Sequence, residues 1–355
     1  MSPRDAGPRP RIHLPPKSTE EWVEPFGDVR LGPISTLPAT LLQHGIDPAP
    51  LLQQAGLEIE AFNDPARRVP LDALTRLLEA CVKATGNVHF CLLIGQQFKM
   101  PMLGVLGYMM KNETSVRAAL RRLVLDLRLQ DRSAVVSLED LTERLVGLSY
   151  AVCTPGTRAV WLADDTSLMV GWRIMKSLCG ASWRPVEVRL AHHRPANPRR
   201  YGELFAAPVR FDVPLSMLVF ERRWLDAPVV GADPVLLSFL DQLSAAAPGL
   251  PTRLTDRVRR VLRSGVMTRR SDADSVADLF SMSARTLRRR LADEGSTFQA
   301  LVAEARLVVA RQLLESSRMP VSEIAASLHY GDVTAFSRAF RGWTGMPPNA
   351  WRKST

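Results

Sequence analysis

Arg285, Arg288 and Arg289 fall on one stripe of a short amphipathic segment when successive residues turn by about 100°, as in an α-helix. Leu287 and Leu291 take the opposite side, where they can pack on Val276, Ala277 and Phe280 of a preceding short helix. The same division recurs about fifty residues on. There Phe336, Ala339, Phe340 and Trp343 form an apolar stripe facing Ile324, Ala325 and Leu328, while Thr334, Ser337, Arg338 and Arg341 point away. A guanidinium fork matches the O6 and N7 edge of guanine, or a phosphate, and small hydroxyls serve either partner of a base pair. An exposed helix with one such stripe is usually only a solvated face. Two, each behind a short helix and a tight turn, imply a pair of recognition helices for duplex DNA.

The elements that must hold these side chains are two helix-turn-helix units, at about 275–294 and 321–343. Their turns fall at Ser281-Met282-Ser283 and His329-Tyr330-Gly331. Ser283 and Asp332 stand where an N-cap is needed to accept the first free amides of each second helix. Charge concentrates in the same place. Residues 251–355 hold 18 Lys and Arg against 10 Asp and Glu, whereas residues 1–250 hold 28 against 26, so nearly all of the net +10 lies at one end. Basicity alone would also fit RNA or an anionic membrane; the paired helix pattern selects DNA.

The C-terminal hundred residues resemble the DNA-binding domain of the AraC/XylS family of bacterial regulators. The resemblance runs through Ala277-x-x-Phe280-x-Met282-Ser283-x-Arg285-Thr286-Leu287-x-Arg289-x-Leu291, Ala305-Arg306 and Ala310-x-x-Leu313-Leu314. It continues through Ile324-Ala325-x-x-Leu328, Phe336-Ser337-Arg338-Ala339-Phe340 and Trp343-Thr344-Gly345-Met346-Pro347-Pro348, and ends at Trp351-Arg352. It implies two units joined by one long helix. Ser296-x-x-Gln299 is expected to cap that helix, with Phe298, Leu301, Val302, Ala305, Val309 and Leu313 as its apolar stripe and Pro320 beyond its end. His329-Tyr330 departs from the family's usual Gly-Phe in the second turn, and Trp351 from its usual Tyr. The resemblance further implies promoter DNA and RNA polymerase as partners, a homodimer, and activation in response to a small-molecule effector.

The remainder reads as a proline-rich disordered arm over 1–30, an α/β (α+β) effector and dimerisation domain over 31–230, a helix and linker over 231–251, and the all-α DNA-binding domain over 252–355. Helical spacing is expected at 71–85, 116–129, 164–178 and 233–247, and strands at 135–138, 145–153, 186–191 and 217–220. Pro248-Gly249-Leu250-Pro251 reads as a hinge. The segments Leu103-Gly104-x-Leu106-Gly107-Tyr108, Tyr201-x-x-Leu204-Phe205-x-x-Pro208-Val209-x-Phe211 and Leu225-Asp226-x-Pro228 resemble the N-terminal ligand-binding domain of one AraC-type subgroup, which implies small-molecule sensing.

No apolar window approaches the roughly 20 residues of a membrane span, so the expected location is cytoplasmic, on the nucleoid. Cys81, Cys91, Cys153 and Cys179 lack metal-ligand spacing and read as reduced thiols, and His192-His193 on a strand must point to opposite faces. No catalytic constellation, metal or cofactor is implied. Trp161 and Trp172 flank Asp164-Asp165 and are the expected walls of an effector pocket, with plain core packing as the alternative. Two other functions stay open: an architectural DNA binder whose N-terminal part only dimerises, and an enzyme domain fused to a DNA-binding module.

Overall fold

The computed structural model describes residues 27–152, 159–246, 253–266, 271–280, 282–316 and 319–354, and within them two hydrophobic cores form. The first begins with strand β1 (Asp28–Arg30), helices α1 (Leu37–Gln43) and α2 (Pro48–Ala55), strand β2 (Arg68–Pro70), and helices α3 (Leu71–Thr85), α4 (Phe90–Gln96), α5 (Val105–Lys111) and α6 (Val116–Asp126). Strands β3 (Ala134–Asp140) and β4 (Leu145–Val152), helix α7 (Val160–Cys179), β5 (Glu187–Arg189), α8 (Arg199–Phe205), β6 (Val209–Arg210) and β7 (Ser216–Glu221) complete it. Helix α9 (Pro234–Ala246) follows. The second core is all helical: α10 (Leu254–Gly265), α11 (Ala273–Leu279), α12 (Ala284–Asp293), α13 (Phe298–Ser316), α14 (Val321–Ser327), α15 (Val333–Thr344) and α16 (Pro348–Ser354). This is the expected mixed α/β region followed by a helical one.

Five strands form one sheet in the order β3-β4-β7-β5-β6, antiparallel except for the parallel pair β5–β6. A parallel pair needs a crossover, and α8 supplies it. Helix α7 packs on β4 and β7, with Met169, Met175 and Leu178 fully buried. The expected strands are present with slightly different ends, and the helix expected over 116–129 becomes a short 3-10 turn at Leu127–Leu129. Gly107 permits the close approach of α5 to the preceding turn, since a Cβ there would lie 2.0 Å from the Met100 carbonyl oxygen.

Two expectations need correction. Residues 28–30 are not part of an arm: β1 pairs with β2, Val29 is buried, and the Arg68 guanidinium donates to Asp28 at 2.7 Å. Apolar burial and an ion pair fasten this short segment despite its charged sequence. Residues 1–26 and the segment 248–251, expected to be a hinge, lie outside the described residues. Nor does Ser296 cap the long helix. α13 starts at Phe298, and the amide of Ala300 donates to Thr297 Oγ1 at 3.2 Å, so the cap lies one residue on.

Within the second core the units are α11–α12 and α14–α15. Ser283 Oγ accepts from the Thr286 amide at 3.2 Å and Asp332 Oδ1 from the Ala335 amide at 2.7 Å, both as expected. Asp272 caps α11 in the same way, through Ser275. In the second turn His329 takes φ +59°, the left-handed conformation for which glycine is usual there. Removing an N-cap acceptor costs about 1 kcal/mol. Ser283→Ala and Asp332→Ala should each lower the unfolding free energy of the C-terminal transition of the intact protein by about that amount, read as a lower urea midpoint at unchanged slope. Unchanged midpoints would mean that water replaces the caps.

Candidate functional site

Helix α12 sorts its side chains by solvent access. Leu287 and Leu291 are fully buried against Val276 and Ala277, while Arg285, Arg288, Arg289 and Arg290 are exposed. Among the described residues no hydrogen bond or ion pair holds Arg285, Arg288 or Arg289 to the protein. Helix α15 repeats the arrangement. Phe336 and Phe340 are fully buried, Thr334, Arg338 and Arg341 are exposed, and Ser337 is half-buried. An aromatic cluster fixes this helix: Tyr330 lies against Phe336 and Trp343, Phe336 against Phe340, and Phe340 against Trp351, with ring centroids 5.5–6.5 Å apart. Trp351 donates to Glu315 of α13 at 3.0 Å, so the last helix is tied to the long one.

Helix α13 is the beam between the units. Its buried residues Leu301, Ala305, Val309, Ala310 and Leu314 face α10 and α14 to α16. The sequence reading had no helix at 254–265, although Leu254, Val258, Val261 and Leu262 recur at helical spacing and would have revealed it. Glu294, at the end of α12, accepts the amides of Leu254 and Thr255 at 2.8 Å and so fastens α10 to the first unit. Helix α10 also rests on β3 and α6, and Leu125 of α6 packs against the C-terminal core.

In the N-terminal region the structure separates the tryptophans from the cavity. Trp172 is half-buried and donates to the Phe205 carbonyl at 2.9 Å, and Trp161 lies 5.6 Å from the His192 ring. Both sit on the face of α7 turned toward α8 and the loop after β5. A cavity of about 120 Å³ lies on the other side of the helix, where Thr166, Ser167, Val170 and Ile174 line it together with parts of α3, α6, β3 and β4. The expectation of a pocket walled by Trp161 and Trp172 is therefore corrected: neither ring lines this cavity, and Trp172 is held by Phe205 of α8 while Trp161 lies against His192 in the loop after β5.

Asp164 and Asp165 are buried in a polar cluster. Asp165 accepts from His192 Nε2 at 3.0 Å and from the Tyr201 hydroxyl at 2.6 Å, and Ser216 donates to Asp164 Oδ2 at 3.2 Å. Asp164 Oδ1 has no partner among the described residues. His193 is nearly fully exposed beside Asp212, so the two histidines do point apart. Cys81, Cys91 and Cys179 are buried free thiols, and no metal-binding group occurs among the described residues. No single helix among them is long and apolar enough to cross a membrane.

Paired, capped helix-turn-helix units with exposed arginine stripes define a DNA-binding transcription regulator. Comparison with known proteins agrees. Residues 45–229 match the family described as the arabinose-binding domain of AraC transcription regulator, N-term, and residues 276–354 match a helix-turn-helix domain family. The chain belongs to the AraC family of transcription regulators. It is 26% identical over 317 residues to the ornithine utilization regulator of Pseudomonas aeruginosa, covering 88% of this chain and 92% of that one. It is 25% identical over 314 residues to the transcriptional regulator VirS of Mycobacterium tuberculosis, covering 87% and 91%. The crystal structure of the regulator CdpR from Pseudomonas aeruginosa aligns over 90% of this chain and 96% of that one, at 22% identity and a TM-score of 0.46.

The polar cluster should make stability depend on pH. Burial pushes the Asp164 carboxyl up to about 7, partly opposed by the Ser216 bond. Burial alone would lower His192, but the bond and charge of Asp165 outweigh it and raise the imidazole above its ordinary value. An unfolded Asp loses its proton near pH 3.9, so from about pH 4 to 7 the unfolded state binds fewer protons and stability falls as pH rises. The His192 contribution is complete below about 6.5 and is lost through its raised folded value, which acts in the same direction. Thermal midpoints should therefore fall from about pH 5 to 8, and Asp164→Asn should flatten that slope. A wild-type slope retained in the variant would place the titration elsewhere.

Proposed function

We propose that the chain is an effector-responsive activator that reads two successive major grooves of promoter DNA. The observation that carries this reading is the pair of exposed stripes, Arg285, Arg288 and Arg289 on α12 and Thr334, Ser337, Arg338 and Arg341 on α15, each on a helix whose other face is fixed in one core. In the proposed division of labour residues 252–355 bind DNA, the region up to residue 230 binds effector and dimerises, and 231–251 connects them. RNA polymerase is the proposed downstream partner. The similarity to transcriptional regulators, an ornithine utilization regulator among them, supports regulation of gene expression as the shared task.

Two recognition helices on one beam should protect two boxes about one helical turn, roughly 34 Å, apart, in direct order and without a palindrome. Losing a bidentate arginine–base contact costs about 1–3 kcal/mol. Arg288→Ala and Arg338→Ala should each weaken binding by that amount on the cognate promoter and much less on random duplex. Equal losses on both DNAs would reduce the arginines to phosphate attraction, and a footprint of one box per chain would leave one unit without base contacts.

A further inference from the structure

The cavity beside α7 is mostly apolar, yet two of its lining groups are polar and unsatisfied. Gln130 is 4% exposed; its Nε2 donates to the Leu103 carbonyl, while its Oε1 has no partner among the described residues. The Nε of Arg30 is likewise buried without an acceptor, and among the described residues no carboxylate pairs with its guanidinium. A charge count around it explains why. Arg68 and Arg132 both reach Asp28, at 2.7 and 3.3 Å. The carboxylate of Asp131, which also lines the cavity, is taken by the amide of Ser133 at 2.7 Å, by its hydroxyl, and by the Tyr150 hydroxyl at 2.8 Å. Arg30 is half-buried and is the surplus cation of this group, and its buried Nε, without an acceptor among the described residues, is the edge that a ligand in the cavity could meet.

The geometry points to a site for a small monocarboxylate: an acid whose carboxylate meets the Arg30 guanidinium, whose neighbouring hydroxyl donates to Gln130 Oε1, and whose short apolar body fills the space between α3, α7 and the sheet. Size limits the body. An apolar cavity of about 150 Å³ accommodates benzene, and this one, at about 120 Å³, takes a chain of comparable or smaller bulk. Leu123 of α6 and Val136 of β3 form part of its wall, and α10 of the DNA-binding region rests on those same two elements. Occupancy therefore bears on the seat of α10. This assignment rests on the effector-responsive reading above and names the chemical class of that effector.

The test uses the intact protein and a panel of butanoate through octanoate, their β-hydroxy derivatives, and the matching primary alcohols and amines. Calorimetry and thermal shift measure binding, and promoter affinity is followed in the same samples. The expected result is saturable binding of at least one acid, tighter for its β-hydroxy derivative, with no stabilisation by the amines. Arg30→Gln should weaken acid binding by about tenfold or more, with partial rescue in Arg30→Lys. Gln130→Leu should remove only the preference for the hydroxyl, which keeps the test independent of whether the Arg30 variants fold well. Acid binding unchanged in Arg30→Gln, alcohols or amines binding as well as acids, or no acid binding while promoter affinity is intact would each overturn the site. Acid binding that leaves promoter affinity unchanged would support the site and overturn the effector-responsive reading beneath it.

Discussion

Helix α10 must satisfy two neighbours at once, and the relation between the halves of the molecule depends on how it does so. Val258 and Leu262, with Val266 just beyond the helix end, are fully buried in the C-terminal core, so one face is committed to α13 and the first helix-turn-helix unit. Its first turn would leave free amides at Leu254 and Thr255, and Glu294 satisfies them from the end of α12. Arg259 bridges Asp256 and, at 2.7 Å, Glu304 of α13. With that face and that end fixed, the seat of α10 on β3 and α6 is the smaller contact. A helix fastened firmly on one side and lightly on the other moves with the side that holds it.

The N-terminal region has a comparable fixed point in the cluster around Asp165. A buried carboxylate is tolerable only when donors compensate it, and here His192 and Tyr201 arrive from the loop after β5 and from α8. The Tyr201 and His192 rings also pack on Phe211. One polar contact set thus anchors α7 to the parallel end of the sheet. The opposite face of α7 is left to the cavity, which explains why the two sides of one helix differ so sharply in chemistry.

This asymmetry also explains what was legible in the sequence. The recognition stripes, their caps at Ser283 and Asp332, and the helical span at 71–85 are set by neighbours three or four residues apart, and local spacing determines them. The cap at Thr297 was misjudged because Ser296 and Thr297 are chemically equivalent candidates, and only the position of the first helical turn separates them. Trp161 and Trp172 were misassigned for a different reason: helical spacing shows that they share a face, but not which neighbour that face meets. Arg30 and Gln130 carried no signal at all. A hundred residues of chain separate them, and the backbone bond from the Arg30 amide to the Gln130 carbonyl at 2.7 Å, which brings them together, is invisible until the strands pair.

Energy limits what a ligand in so small a space can do to DNA binding. Moving an equilibrium between two arrangements from 1:99 to 99:1 takes about 5.5 kcal/mol of differential affinity. A charge-assisted hydrogen bond contributes about 1.5–3 kcal/mol net, and each buried methylene about 0.8 kcal/mol. A short acid reaches the required sum only if nearly all of its binding is confined to one arrangement. The walls that distinguish the arrangements must then be walls the ligand touches, which selects Leu123 and Val136 over the far side of the cavity. The recognition helices need not change internally, because Ser283, Asp332 and the aromatic cluster hold them independently of α10's seat. On the proposed effector-responsive reading, control would act on how the DNA-reading surface is presented, and the surface itself would stay constant.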